Sequence, residues 1–326
     1  MRKKVAINGF GRIGRAVFKN IVLNYSDELE VVAVNDLLEV EKINYLLRYD
    51  SIYGKFDHES EFKVFAEKDP ENLPWGELDI DVVIECTGLF TDYEKASKHL
   101  SAGAKKVIIS APSKEPEKIS SFVLGVNEKE YNSEINHVVD MGSCTTNCLA
   151  PLLKIIEDNF KITSGMMTTV HSYTISQNLL DGAHKDFRRS RAAAINIIPT
   201  TTGAAKAVSR VLPALEGKIS GMAIRVPNTT VSIVDLVCLV EKNTTKEEVL
   251  HIFRSESEKE NYQNILKVED MPLVSSDYIK SSYSSIVDSE MMSVNNNMIK
   301  VLSWYDNEWG YSVRLADFTN YIAKRL

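Results

Sequence analysis

The sequence predicts an α/β protein: a doubly wound parallel-sheet domain joined to an α+β domain whose sheet is largely antiparallel. Three observations carry this. In the first half, short Val/Ile-rich runs alternate with helical segments, as parallel strands covered by helices on both faces do. After Cys144 the texture changes to longer strand-like stretches with polar loops between them. The chain has 326 residues, 44% of them hydrophobic, which is enough for two cores.

The elements follow in order. "KVAING" reads as a strand, Arg12 to Leu23 as a helix and "LEVVAVND" as a second strand. "DVVIECTG", "KKVIIS", "SFVLGVN" and "HVVD" read as further strands, Cys86 lying within the first of them. Between the first two of these, "TDYEKASKHL" offers Thr91 as N-cap and Glu94 three residues on as the return half of a capping box. A helix from about Thr145 to Phe160 opens the second half. It leads to "GMMTTVHSYT", a long polar and basic loop, and the small-residue helix "TTGAAKAVSRVL". "GKISGMAIRVPNTTVSIVDLVCLVEK" reads as two long strands with an antiparallel look, and "TTKEEVLHIF" as a helix capped by Thr245 and Glu248. "MIKVLSWYD" is a late strand, and Tyr311 to Leu326 an amphipathic terminal helix. The boundary falls near Cys144, which divides the chain into 1–143 with 308–326 and 144–307.

Composition narrows the function. A net charge of −7 and a pI of about 5.5 argue against a dedicated nucleic-acid partner. No apolar run has the length of a membrane span, and "MRKKVAINGF" lacks the apolar core and cleavage site of a signal peptide. Four cysteines do not make a disulfide scaffold in a chain of this size. The expectation is a reduced, soluble, cytoplasmic protein.

"INGFGRIG" places Gly9, Gly11 and Gly14 in a G-x-G-x-x-G turn between a strand and a helix. The first glycine permits the turn, the second admits a pyrophosphate to the backbone, and the third lets helix and strand pack closely. Asp36 ends the second strand, 22 residues past Gly14, where a carboxylate binds ribose hydroxyls and repels a 2′-phosphate. The reading is a Rossmann-type dinucleotide-binding domain that favours NAD.

"MGSCTTNCLAP" raises a different question, because Cys144 and Cys148 stand four residues apart at the start of a helix. A metal site lacks further ligands at suitable spacing, and two positions one turn apart on a helix do not meet disulfide geometry. A buried structural thiol and a nucleophile remain. Cys148, Cys86 and Cys238 read as core. Cys144, at the helix N-terminus among Ser143, Thr145 and Thr146, is placed where the dipole favours a thiolate. Of six histidines, His171 is the best partner base, with His184 its near rival; a lone histidine after a strand is more often structural than catalytic.

"SCTTNCLAP", "TTVHSYT", "IIPTTTGAAKAV", "GMAIRVP" and "SWYDNEWGYS", in that order behind "INGFGRIGR", resemble phosphorylating glyceraldehyde-3-phosphate dehydrogenases over essentially the whole chain. The resemblance implies Cys144 as nucleophile and His171 as base. It implies Thr174 and Arg225 on the phosphate of D-glyceraldehyde 3-phosphate. Ser143, Thr145, Thr202 and Gly203 would surround the attacking inorganic phosphate, with Arg189 close to both anions. For the cofactor it implies Arg12 and Ile13 at the pyrophosphate, Thr87 and Ser110 along the groove, Asn307 on the nicotinamide carboxamide and Tyr311 beside the ring. It implies no metal, and a homotetramer with the loop "GAHKDFRRSRAAA" at a subunit interface.

Departures from the family pattern set further expectations. Asp140, Met141 and Gly142 replace a usual Ser-Asn-Ala, and Asp140 is expected to face solvent; pointing inward, it would raise the thiol pKa. "GKFDHESEFKVFAEKDP" is shorter than the usual adenosine-side segment, and Lys68 stands for a common arginine, so altered adenosine packing is expected. Gly182 and Ala183 stand where NAD-restricted members carry Leu-Pro, whereas Asp36-Leu37 resembles NAD users. NAD with secondary use of NADP is the resulting expectation. The rivals are erythrose-4-phosphate dehydrogenase, a cysteine hydrolase or acyltransferase, and a non-catalytic binding protein; the retained Thr202-Gly203-Ala204-Ala205 run and Asp36 speak against them.

Overall fold

The computed structural model describes residues 1–58 and 61–326. It divides into two compact units: Met1–Phe122 with Glu128–Ser143 and Ser312–Leu326, and Val123–Asn127 with Cys144–Tyr311.

The first unit carries β1 (Lys3–Asn8), β2 (Leu29–Asn35), β3 (Tyr49–Asp50), β4 (Gly54–Lys55), β5 (Lys63–Phe65), β6 (Val82–Glu85), β7 (Lys106–Ile109), β8 (Ser120–Ser121) and β9 (Val138–Asp140). Its helices are α1 (Arg12–Asn24), α2 (Val40–Arg48), α3 (Tyr93–Ala96) and α4 (Lys98–Ser101). Seven strands form one sheet in the order β5-β2-β1-β6-β7-β9-β8, every pair parallel. The remaining two make the antiparallel β3–β4 hairpin. Strand order reverses between β1 and β6, the switch point at whose carboxyl ends open α/β sheets bind ligands. β1 and β6 end in buried tetrads, as strands covered on both faces must.

Three expectations fail in this unit. "SFVLGVN" is not a strand: only Ser120–Ser121 pairs, and Gly125 at φ +80° turns the chain, with Val123 N–H donating to Asn127 Oδ1 at 2.9 Å. The helix in "TDYEKASKHL" starts one residue later than expected. Asp92, not Thr91, accepts the Lys95 N–H (3.1 Å), and the run breaks at Ser97 into α3 and α4. Cys86 lies just past β6 and is partly accessible, not strand core. The shortened stretch "GKFDHESEFKVFAEKDP" opens with β4 and carries β5 in its second half, and its Glu59 and Ser60 lie outside the described residues.

The second unit carries α5 (Cys144–Phe160), β10 (Ile162–Ser172), β11 (Ile198–Thr201), α6 (Ala204–Val211), β12 (Ile219–Val226), β13 (Ser232–Val240), α7 (Lys246–Ser257), β14 (Leu266–Glu269), β15 (Ser285–Asp288), β16 (Ser293–Asn295) and β17 (Met298–Tyr305). The sheet order is β11-β12-β10-β13-β17-β15-β14, with β16 on β17. Only β10–β12 and β14–β15 are parallel. The two long strands β12 and β13 do run opposite ways, yet they are not partners, because β10 lies between them and pairs with both. α5 fills the core over this sheet with Leu149, Leu152, Leu153, Ile155 and Ile156 against Val234, Leu236 and Val301. Thr245 caps α7 as expected, accepting the Glu248 N–H at 3.2 Å.

The terminal helix α8 (Trp309–Ala323) crosses from the second unit's residues to the first's. It is not amphipathic: Ser312, Arg314, Thr319 and Asn320 are buried with its apolar residues. Within the first unit its Phe318 packs on Phe122 and Tyr131, with ring centroids 5.8 and 6.1 Å apart. Polar residues on a mostly buried helix are tolerated by local bonds, such as Thr319 Oγ1 to the Leu315 carbonyl (2.7 Å) and Arg314 to the partly exposed Asp317 (2.8 Å).

Candidate active site

Cys144 opens α5, and His171 stands near the end of β10. Sγ lies 3.5 Å from His171 Nε2. The other ring nitrogen, Nδ1, is 2.7 Å from the Ser172 carbonyl. A carbonyl only accepts, so Nδ1 carries the proton and Nε2 turns its lone pair to the sulfur. Arg225 reaches the same carbonyl with Nη1 at 3.0 Å, and this accounts for its 3.1 Å approach to Nδ1, where two donors share one acceptor. Register explains the meeting: His171 and Arg225 are directly paired on adjacent parallel strands.

Electrostatics here is dominated by burial. It pushes the Cys144 thiol up, although part of the residue reaches the surface, and Arg225 and the Thr145 hydroxyl partly oppose the rise. The helix N-terminus therefore does not by itself ionise this cysteine. Burial and then Arg225 lower His171 to about 3. Each group alone stays neutral near pH 7; there the thiolate and imidazolium charges favour each other when they form as a pair.

Two guanidiniums face this pair. Arg225 is half-buried and forms no ion pair with a carboxylate among the described residues; its Nε is buried without a partner, and Nη1 reaches Thr174 Oγ1 at 3.4 Å. Arg189 donates from Nε to Thr200 Oγ1 (2.9 Å) and from Nη2 to the Thr201 carbonyl (3.2 Å), while Asp186 stays 3.9 Å from Nε. Thr200 in turn donates to Asp186 at 2.5 Å. Arg189 is close enough to lower both His171 and Arg225. A half-buried guanidinium without a carboxylate partner is poorly compensated, and such a pair of guanidiniums suits phosphate oxygens. Thr202 and Gly203 precede α6, Thr202 Oγ1 accepting the Ala204 N–H at 3.2 Å.

Sequence reasoning missed Tyr305. Its hydroxyl is buried between Thr145 Oγ1 (2.9 Å) and Thr169 Oγ1 (2.8 Å), and its ring meets His171 edge-on at 6.0 Å. The alternation of β17 marks it only as an inward residue. Asn307 Oδ1 accepts from Ser172 Oγ (2.7 Å) and Ser232 Oγ (2.9 Å). Tyr311 is buried in the first turn of α8. His184 is not near this cluster by any bond; its ring contacts Asp186 backbone atoms within the loop.

The first unit assembles the glycine turn. Gly9 sits at φ +89°, where a Cβ would lie 2.6 Å from the Thr87 nitrogen, and a Cβ on Gly14 would lie 2.2 Å from the Gly9 carbonyl oxygen. A Cβ on Gly11 would meet nothing within 4 Å. The turn is thus tight where it packs and open at the one glycine assigned to a pyrophosphate. Asp36 accepts from the Phe10 N–H (2.7 Å) and the Leu38 N–H (3.1 Å). Thr87 is tethered by its N–H to Glu85 (2.7 Å), and the Ser110 N–H bonds the Glu85 carbonyl (2.9 Å). Ile13 is partly exposed; the Arg12 side chain is committed to Asp50 at 2.6 Å and covers the Tyr53 ring. Ser143 is partly exposed in the loop before α5.

Asp140 departs from expectation. It is fully buried, accepting from Ser113 N–H (3.1 Å), Ser121 Oγ (2.9 Å) and Gly142 N–H (2.7 Å). As the last residue of an interior parallel strand it closes loop donors that would otherwise be buried unpaired. Among the described residues no cluster of three or more His, Cys, Asp or Glu could hold a metal, and no helix is long and apolar enough to cross a membrane.

Residues 3–93 match the family model for the NAD binding domain of glyceraldehyde 3-phosphate dehydrogenase, and residues 143–307 that for its C-terminal domain. The chain is 52% identical to glyceraldehyde-3-phosphate dehydrogenase of Geobacillus stearothermophilus, over 100% of this chain and 99% of that protein. It is 50% identical to glyceraldehyde-3-phosphate dehydrogenase 1 of Bacillus subtilis with the same coverage. It is 49% identical to the chloroplastic glyceraldehyde-3-phosphate dehydrogenase A of Chlamydomonas reinhardtii, over 99% of this chain and 89% of the relative.

Proposed function

Because this chain belongs to the glyceraldehyde-3-phosphate dehydrogenase family, we propose that it oxidises D-glyceraldehyde 3-phosphate and passes the acyl group to inorganic phosphate, reversibly, in glycolysis and gluconeogenesis. The observation that carries this reading is Arg225, half-buried with a sealed, unpartnered Nε and no carboxylate partner among the described residues, beside the Cys144–His171 contact.

Cys144 Sγ adds to the aldehyde carbon as its proton passes to His171 Nε2, which hands that proton on to the former carbonyl oxygen, so that the hemithioacetal carries a hydroxyl and Nε2 is again a base. The hemithioacetal hydroxyl loses its proton as the carbon is oxidised, again to Nε2. NAD, when bound, supplies the hydride acceptor. The resulting thioester is cleaved by a phosphate oxygen: the C–O bond forms, the C–S bond breaks, and Cys144 leaves as thiolate. Thr174 and Arg225 hold the substrate's phosphate. Ser143, Thr145, Thr202 and Gly203 hold the attacking phosphate, and Arg189 serves both anions.

Gly9, Gly11, Arg12, Ile13, Gly14, Asp36, Thr87 and Ser110 bind the cofactor's nucleotide part, and Asn307 and Tyr311 its nicotinamide. The open space at Gly11 and the carboxylate at Asp36 fit NAD. NAD is preferred and NADP is a secondary cofactor, since Asp36 repels a 2′-phosphate while Gly182 and Ala183 remove bulk from the loop. Equal catalytic efficiency with both would refute that preference. Residues 1–143 with 308–326 form the dinucleotide-binding domain and 144–307 the catalytic and tetramerisation domain of a cytoplasmic homotetramer. The exposed Ile175, Leu179, Leu180, Phe187, Ile195 and Ile197 of the basic loop support its covering by another subunit.

The test is absorbance of NADH formed from glyceraldehyde 3-phosphate and NAD with and without phosphate. Sustained turnover only with phosphate is expected; turnover independent of phosphate would indicate hydrolysis instead.

A further inference from the structure

The carbonyl and the hydroxyl of Ser172 are both spent on groups that the proposed reaction uses. Its carbonyl accepts from His171 Nδ1 (2.7 Å) and Arg225 Nη1 (3.0 Å), fixing the base and the substrate-facing cation. Its N–H donates to Ser232 Oγ at 3.1 Å. Its hydroxyl, fully buried, donates to Asn307 Oδ1 at 2.7 Å, and Ser232 Oγ donates to the same oxygen at 2.9 Å.

We propose that Ser172 and Ser232 are positioning residues that lock the Asn307 amide with its Nδ2–H donors turned toward a carbonyl acceptor, the carboxamide oxygen of a bound nicotinamide. The inference rests on the cofactor reading above and adds what sets the amide's direction. Ser232 Oγ already accepts the Ser172 N–H, so its own proton goes to Asn307. Two hydroxyl donors then fill both lone pairs of Oδ1. A flipped amide would point N–H at both hydroxyls, whose protons would then have only each other's oxygen, 3.5 Å away, within this group. Nδ2 in the observed orientation has no protein partner among the described residues and is not sealed from solvent. The backbone under the side chain is held as well. Asp306 accepts from Thr230 Oγ1 (3.0 Å) and from the N–H groups of Lys280 (2.8 Å), Glu308 (3.0 Å) and Trp309 (2.9 Å).

Ser172 therefore ties two halves of the site by different atoms: the base by its carbonyl, the nicotinamide anchor by its hydroxyl. Ser172→Ala removes only the second. The experiment compares wild type, Ser172→Ala, Ser232→Ala and the double variant for binding of two ligands, NAD and an analogue whose pyridinium ring lacks the carboxamide, and for alkylation of Cys144 against pH. NAD binding is expected to weaken about threefold in each single variant and about tenfold in the double variant, or ~1.4 kcal/mol. Binding of the analogue and the Cys144 alkylation profile are expected to stay at wild-type values. Equal weakening of both ligands, or no weakening of NAD, would overturn the inference while leaving the cofactor reading intact. Failure of the wild-type protein to bind NAD would overturn both.

Discussion

His171→Asn isolates the contact on which the chemistry turns. Burial resists charge on either partner, pushing the Cys144 thiol up and holding His171 down at about 3. Proton transfer from Sγ to Nε2 makes both charges at once, 3.5 Å apart. At an effective dielectric of about 20 that attraction reaches roughly 5 kcal/mol, an upper bound of between three and four pH units at 1.36 kcal/mol each. Desolvation of the two charges consumes part of it, so about two to three pH units should survive. The sign follows directly: the imidazolium favours thiolate, so wild type ionises at lower pH than the variant, whose thiol is left to burial and Arg225. The assay is the rate of iodoacetamide inactivation from acid to alkaline pH, without substrate. The midpoint should rise by about two to three units in His171→Asn, and turnover should fall by about 10²–10⁴-fold with loss of the base. Superimposable alkylation profiles would refute the coupling, whatever happened to turnover.

Three other substitutions test separate features. Arg225→Met should raise the KM for glyceraldehyde 3-phosphate by about 10–100-fold through lost charge-assisted bonds. It should also raise the Cys144 midpoint in the same alkylation assay, because Arg225 lowers it, and thermal stability should not fall; a lower unfolding midpoint would mean that the cation is structural. Gly14→Ala puts a Cβ 2.2 Å from the Gly9 carbonyl oxygen and should cost about 1–3 kcal/mol with loss of NAD affinity; calorimetry and NAD titration at wild-type values would refute the assigned packing role. Asp140→Asn turns an amide N–H₂ toward one set of three converging donors and should destabilise by about 1–3 kcal/mol, which an unchanged melting temperature would contradict.

Local chemistry was legible in the sequence, and non-local pairing was not. The Thr245 cap depends on residues three places apart, and the Gly9 turn and Asp36 on spacings within one strand–helix–strand unit, so their patterns were readable before the tertiary contacts were known. The pairing of β12 and β13 depends on where β10 inserts, which no spacing within the two strands records. Thr91 and Asp92 are both good caps in adjacent positions, and only the geometry selects Asp92. Asp140 looked solvent-facing because carboxylates usually are; its direction is set by the end of β9 and by loop N–H groups that need an acceptor. The family motifs nominated the candidate site residues, and Tyr305 lies inside one of them, SWYDNEWGYS, but nothing there gave it a role, and strand alternation is a signal shared with every core aromatic.

The arrangement of charge explains why the site could not be replaced by a better-packed one. Arg225 is half-buried with no carboxylate partner among the described residues, and Arg189 is held through the Thr200 hydroxyl, with Asp186 beyond it at 3.9 Å from Nε. A direct ion pair would be cheaper for the fold, but it would occupy the guanidinium edges that an anion needs. Relaying through a hydroxyl fixes Arg189 in direction while leaving its charge largely unspent. The same logic governs His171, whose Nδ1 is held by a neutral carbonyl and not by a carboxylate. A carboxylate there would favour the protonated imidazole before substrate arrives, and Nε2 would have no lone pair to offer the thiol. The neutral acceptor leaves the ring a base until the sulfur beside it gives up its proton.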